Sequence, residues 1–143
     1  MTDDHVRAEI YRQFRDSSTT PTIESCTAGL GLPRGAVEEA FGRLADSQAI
    51  VLKPGTTEIW MAHPFAGEPT GVTAANNEHV WNANCGWDGL AILALVGDGV
   101  VKAPNPLGGP NLEWTVVNGE VEPGGVVHFL VPASQFWDDI GYT

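Results

Sequence analysis

Positive charge almost disappears after residue 64. Residues 65–143 hold one basic residue, Lys102, against nine Asp and Glu, a net of −8; residues 1–64 hold six basic and nine acidic residues, a net of −3. A phosphate backbone needs clustered Lys and Arg, so no nucleic-acid partner is expected. A neutral or cationic small ligand, or a metal, suits the acidic half better. Long apolar runs are also missing. No stretch approaches the roughly 20 residues of a bilayer span, so no membrane partner is expected. Cysteine is scarce: Cys26 and Cys85 are the two in the chain, too few for a disulfide framework. The polar, acidic start MTDDHVRAEI does not read as a signal peptide. Together these features predict a cytoplasmic protein.

What the chain does have is enough apolar content to fold, 43% of 143 residues, and many turn formers, 17 glycines and 10 prolines. In HVRAEIYRQFRD, Val6, Ile10 and Phe14 recur at helical spacing, with Asp3 or Asp4 available as a cap. After the break SSTTPT, TIESCTAGLGL sets Ile23, Cys26 and Leu30 on one side and stops at glycine. PRGAVEEAFGRLADS opens on Pro33 and turns Val37, Phe41 and Leu44 inward. QAIVLKPGTTEIWMA then reads as two strands, Ile50–Lys53 and Glu58–Met61, around a Pro-Gly turn. Three helices and a hairpin form the pattern of a winged helix over residues 1–64. A DNA reader of that type should be basic on its third helix, yet Arg34, Glu38, Glu39 and Arg43 carry no net positive charge there.

AHPFAGEPTG connects to a second half, residues 65–143. Strands are expected over Thr70–Thr73, Glu78–Asn82, DGVVKA, NLEWTVV and GGVVHFLVP, with Asn118-Gly119 a hairpin turn. Residues 84–97 read as one buried helix, with Leu90, Ile92, Leu93, Leu95 and Val96 on its apolar face. ASQFWDDIGYT starts a short terminal helix. The class is α+β: a winged-helix-like three-helix domain, then a small antiparallel-sheet core with one buried helix.

WNANCGWDGLAIL carries the chemistry. Cys85 falls in the first turn of the expected helix, with Asn82 or Asn84 as cap. Unpaired N–H groups there favour an anion, which predicts a lowered thiol pKa. Asp88, three residues on, shares its face. Trp81 and Trp87 add bulk that would exclude water, a setting in which a carboxyl group works as a proton donor. Trp81, Asn84 and Trp87 are therefore candidate substrate contacts beside Cys85 and Asp88. A buried free cysteine is often only packing, and an acidic residue in a first helical turn is common for dipole reasons, so spacing alone leaves both readings open.

At these residues the sequence resembles the alkylmercury (organomercurial) lyases. The resemblance is carried by VWNANCGWDGLAILALVG, the preceding AHPFAGEPTGV, and LEWTVVNGEVEPGGVVHFLVP, and runs from about Val6 to Trp137. It implies a winged-helix-like domain at 1–64 ahead of a core at 65–143, and carbon–mercury bond cleavage by protonolysis without a cofactor. By residue match, Cys85 is the cysteine that binds mercury as a thiolate, its natural ligand, and Asp88 is the carboxylate that shuttles a proton to the leaving carbon.

The family pattern also contains a second catalytic cysteine, which the resemblance places just after ASQFWDDIG; the sequence has none before Thr143. A further cysteine expected in the loop APNPLGGPN is missing too. The chain thus resembles a divergent or C-terminally shortened member, and Cys26 is expected to be core packing. Two alternatives follow. The scaffold could serve a non-mercurial small-molecule electrophile, with Cys85 as nucleophile, or the thiol could sense a metal or electrophile in a regulator. His63, His79 and Cys85 match no strong zinc spacing. His128, Asp138 and Asp139 are expected on solvated faces, and Phe136 and Trp137 are expected to anchor the terminal helix.

Overall fold

The computed structural model describes residues 2–141. Helix α1, Thr2–Ser17, buries Val6, Ile10 and Phe14, as the helical stripe requires. Helix α2, Ile23–Leu30, starts at a reciprocal cap in which Thr22 and Ser25 each bond the other's backbone N–H. It ends at Gly31, whose φ of 64° is the left-handed conformation a helix stop needs. Helix α3, Arg34–Asp46, packs Val37, Phe41 and Leu44 into the same core, with Pro33 just before the first turn. Its two arginines are engaged in ion pairs: Arg34 with Glu24 and Glu38, Arg43 with Asp3 and Glu39. Asp3 therefore lies in the first turn of α1 as a partner for Arg43.

The strands are shifted or shortened by a residue or two from those expected, and they join one sheet. β1 (Val51–Leu52), β2 (Ile59–Ala62), β3 (Phe65–Ala66), β4 (Val72–Ala75), β5 (Val80–Ala83), β6 (Gly99–Ala103), β7 (Leu112–Val117) and β8 (Glu120–Glu122) align in the order β1-β2-β3-β5-β4-β6-β7-β8. Every pair is antiparallel. The architecture is α+β, with a single eight-stranded sheet in place of separate small ones. The turn between β7 and β8 uses Asn118 and Gly119 at φ 53° and 79°, matching the hairpin chemistry of that dipeptide. GGVVHFLVP is not a strand. Pro123 has no N–H to offer, Gly124 and Gly125 add no side chains to pair, and the chain leaves the sheet after Glu122. Its Phe129 packs instead against Trp87 and Phe136. The terminal segment Ala133–Asp138 is a short 3-10 helix.

One face of the sheet carries the core. Ala74 pairs with both Trp81 and Val101, so these three side chains project together, and all are buried. Helix α4, Gly86–Val96, lies over them, with Gly89, Ile92 and Leu93 buried. The expected apolar face is only partly right: Leu95 is 60% exposed and Leu90 half-buried. A helix that is apolar nearly all round gives no periodicity by which to choose its buried side. The N-terminal helices share this core. The indole N–H of Trp81 donates to the Phe14 carbonyl at 2.8 Å, and the Phe14 and Phe65 rings stack at 5.1 Å. Among the described residues no helix is long and apolar enough to cross a membrane.

Gly89 marks the tightest approach of α4 to the sheet. A Cβ there would lie 2.6 Å from Val101 Cγ1. Gly89→Ala should therefore destabilise the fold by about 1–3 kcal/mol despite the better helix propensity of alanine. The double variant with Val101→Ala should cost less than the sum of the two single changes. Urea midpoints of the four proteins check this; strict additivity would refute close packing at this point.

Candidate active site

Two turns meet at the start of α4. Strand β5 ends at Ala83, Asn84 follows, and Cys85 is the residue at which the chain becomes helical. Cys85 has extended backbone, φ −152°, and its carbonyl accepts from Gly89 N–H at 3.0 Å. It is thus the cap residue itself, one position before the first turn in which the sequence places it. Neither Asn82, inside β5, nor Asn84 caps the helix. The second turn is His63-Pro64, between β2 and β3. Phe65 pairs with Ala83, which sets that turn beside Asn84. The His63 carbonyl is held from α1 by the Tyr11 hydroxyl at 2.9 Å.

Asp88 is the centre of the resulting cluster. Its Oδ2 accepts from Asn84 Nδ2 at 2.9 Å and lies 3.4 Å from His63 Nδ1. Asn84 Nδ2 also lies 3.2 Å from His63 Nδ1. The Asp88 side chain is 15% exposed and that of His63 42%. Around them is a cleft of about 470 Å³, walled by Trp60, Met61, Trp87, Phe129, Phe136 and Trp137, with Cys85 on its surface. Glu68 also lines it, tied to Lys53 at 3.2 Å.

The thiol does not behave as the helix start alone predicts. Burial raises the Cys85 pKa above its ordinary value, and the negative charge of Asp88 adds to the rise. The backbone N–H groups of Asp88 and Trp87 near the sulfur pull the other way, with less effect. The expectation of a lowered thiol pKa is therefore corrected. The helix terminus does contribute, but desolvation of the charged form outweighs it.

Of the candidate residues, Cys85, Asp88, Asn84 and Trp87 all line this cleft. Trp81 does not; it is 2% exposed, in the layer between sheet and helices. Asn84 faces Asp88 with its amide nitrogen. Cys26 is wholly buried in the helical core, and burial pushes its thiol up to about 11. His79 sits against Trp81, outside the cleft. Among the described residues no three His, Cys, Asp or Glu side chains are grouped to hold a metal ion. Sequence reading missed His63 as a partner of Asp88, and missed Phe129, Phe136 and Trp137 as walls. The first depends on the β3–β5 pairing; the second depends on a segment that leaves the sheet.

A scan of protein-family models and a search of curated proteins find no match to the sequence. Among solved structures, the fold is similar to that of MerB2, determined in a mercury-bound form, with a TM-score of 0.62 and 22% sequence identity. The match covers 84% of this chain and 57% of that one, so this chain spans little more than half the length of MerB2. The likeness is one of fold.

The raised Cys85 pKa has a direct consequence. A thiolate reacts and a thiol does not, so iodoacetamide modification of Cys85 should reach half its limiting rate above about pH 8.5, the ordinary thiol value. Asp88→Asn removes the neighbouring charge and should move that midpoint down, while Cys85→Ser should abolish the fast reaction. A midpoint below the ordinary value in the parent protein would show that the helix start, not burial, governs the thiol.

Proposed function

We propose that this protein is an alkylmercury-lyase-like enzyme acting on small organomercurials, with Cys85 as the mercury-binding thiolate and Asp88 as the proton carrier. The observation that carries this reading is the shared cleft, where a thiol and a hydrogen-bonded carboxylate lie one helical turn apart behind aromatic walls. The similarity of fold to MerB2, a protein solved with mercury bound, supports it. In this reading residues 65–143 are the lyase-like core and residues 1–64 a winged-helix-like accessory domain, and no cofactor is needed.

The steps balance without any redox partner. The Cys85 thiol passes its proton to Asp88 as sulfur attacks mercury, and the thiolate previously on the metal departs. Asp88 then protonates the carbon as the carbon–mercury bond breaks, its electron pair forming the new C–H bond. The hydrocarbon leaves, and mercury stays on the Cys85 sulfur. Two molecules of an external thiol then remove it, restoring the Cys85 thiol and the Asp88 carboxylate and releasing one proton. Mercury is a soft substrate and sulfur a soft ligand. The buried thiol suits this sequence, because its proton is retained until a metal competes for the sulfur.

One observation favours a second reading. Among the described residues, Cys85 is the one thiol in the cleft, and Cys26 is buried in another part of the fold. With external thiols required to finish the reaction, the same cleft could instead present Cys85 to a non-mercurial carbon electrophile.

The test is hydrocarbon release from an organomercurial under excess thiol. The parent protein should turn over. Cys85→Ser should bind no mercury in the cleft. Asp88→Asn should capture one equivalent but release hydrocarbon about 10²–10⁴-fold more slowly. Capture without release by the parent protein would sink the lyase reading and leave the electrophile reading standing.

A further inference from the structure

The contacts on Asp88 are one-sided. Both nitrogens near it, Asn84 Nδ2 at 2.9 Å and His63 Nδ1 at 3.4 Å, face Oδ2. No hydrogen bond is made to Oδ1 among the described residues. The shortest of the Asn84 amide contacts is this one to Oδ2. The second N–H of the amide has backbone carbonyls within reach, Pro64 at 3.4 Å and Phe65 at 3.5 Å. The reversed amide would set an oxygen on the carboxylate. The orientation is kept although Asn84 Oδ1 is buried and has no partner among the described residues, an arrangement that costs free energy.

The His63 tautomer follows from the same network. If Nδ1 were an acceptor, it could take an N–H from Asn84 at 3.2 Å, but its lone pair would face the carboxylate Oδ2 at 3.4 Å. If Nδ1 carries the hydrogen, Oδ2 receives two N–H donors, no acceptor faces another, and the second Asn84 N–H turns from the ring to the Pro64 and Phe65 carbonyls. Two groups fix the ring in place. Tyr11 bonds the His63 carbonyl, and Trp137 meets the ring edge-on at 6.4 Å.

We infer that His63, in the Nδ1–H form, and Asn84 are positioning residues: a two-donor clamp on Oδ2 of Asp88 that leaves Oδ1 as the oxygen that carries the proton. The inference deepens the lyase reading, since the proton's destination rests on it, but the clamp itself does not require mercury. Its chemical effect is orientation. A carboxylate free to rotate presents either oxygen to the reacting carbon, whereas a clamped one presents a single oxygen in one place.

Two measurements test it. The first needs no activity. Nitrogen-15 shifts of the imidazoles are recorded at about pH 8 on the intact protein, with His63 assigned by the signal lost in His63→Asn. A protonated Nδ1 on His63 is expected, and Asp88→Asn should shift that signal. An unprotonated Nδ1 overturns the clamp. The second is the single-turnover rate of hydrocarbon release after capture. His63→Ala should release about 100-fold more slowly with unchanged capture. His63→Asn, whose amide nitrogen takes the place of Nδ1, should recover most of the rate, and His63→Gln, which mimics Nε2, should not. Equal recovery by both, or none by either, overturns the role assigned to Nδ1. If the parent protein captures but never releases, the lyase reading falls, and the nitrogen shift alone decides the clamp.

Discussion

The site depends on one register: Phe65 opposite Ala83, joining β3 to β5. That pairing places a hairpin turn carrying His63 against the residue that leads into α4. It also sets Phe65 where its ring can stack on Phe14 of α1. Because side chains alternate faces along a strand, a slip of one residue would turn Phe65 out of the core and carry His63 away from Asp88. The packing that fixes the register and the geometry that aims the carboxylate are thus the same contact. The Tyr11 hydroxyl on the His63 carbonyl and the Trp81 indole on the Phe14 carbonyl reinforce it from α1.

A second competition is set by where β5 ends. The chain enters α4 directly from the sheet, so Cys85 is at once a helix start and a half-buried residue. Two backbone N–H groups favour the thiolate; burial and the adjacent carboxylate favour the thiol, and they prevail. A helix terminus lowers a thiol pKa, as does an adjacent cation, while apolar burial raises it. In this fold the basic residues lie elsewhere, with Lys53 engaged by Glu58 and Glu68.

Local patterns are legible in the sequence and long-range ones are not. The three N-terminal helices follow from the spacing of Val6, Ile10 and Phe14 and of Val37, Phe41 and Leu44, and the Asn118-Gly119 hairpin from its dipeptide. The α+β class and the closeness of Cys85 to Asp88 also follow, because both depend on neighbours along the chain. The continuity of the sheet across residue 64 does not, since β3 is two residues long and carries no alternation to read. GGVVHFLVP has the alternation of a strand, yet its Phe129 packs on Trp87 of α4 and Phe136 of the terminal 3-10 helix, while Val126 and Leu130 are left exposed. Trp81 reads as a cleft residue because it neighbours Cys85 in sequence; strand alternation sends it to the core while Asn84, past the end of the strand, turns to the cleft.

In the proposed reaction the thiol and the carboxylate share one proton. With the proton on sulfur, Asp88 is charged and accepts from Asn84, and its charge in turn makes ionisation of the thiol harder. Loss of the thiol proton into water would leave two negative charges beside each other in a poorly solvated cleft, which the low local dielectric penalises. Transfer of that proton to Asp88 leaves only one. An electrophile that bonds to sulfur removes the second charge altogether, so in the proposed reaction sulfur capture and proton transfer to the carboxylate favour each other. The same reasoning explains why an aromatic cleft with few cations is no handicap. The proposed reaction calls for no external base and no fixed positive charge, because the incoming electrophile supplies the positive centre that the pair lacks.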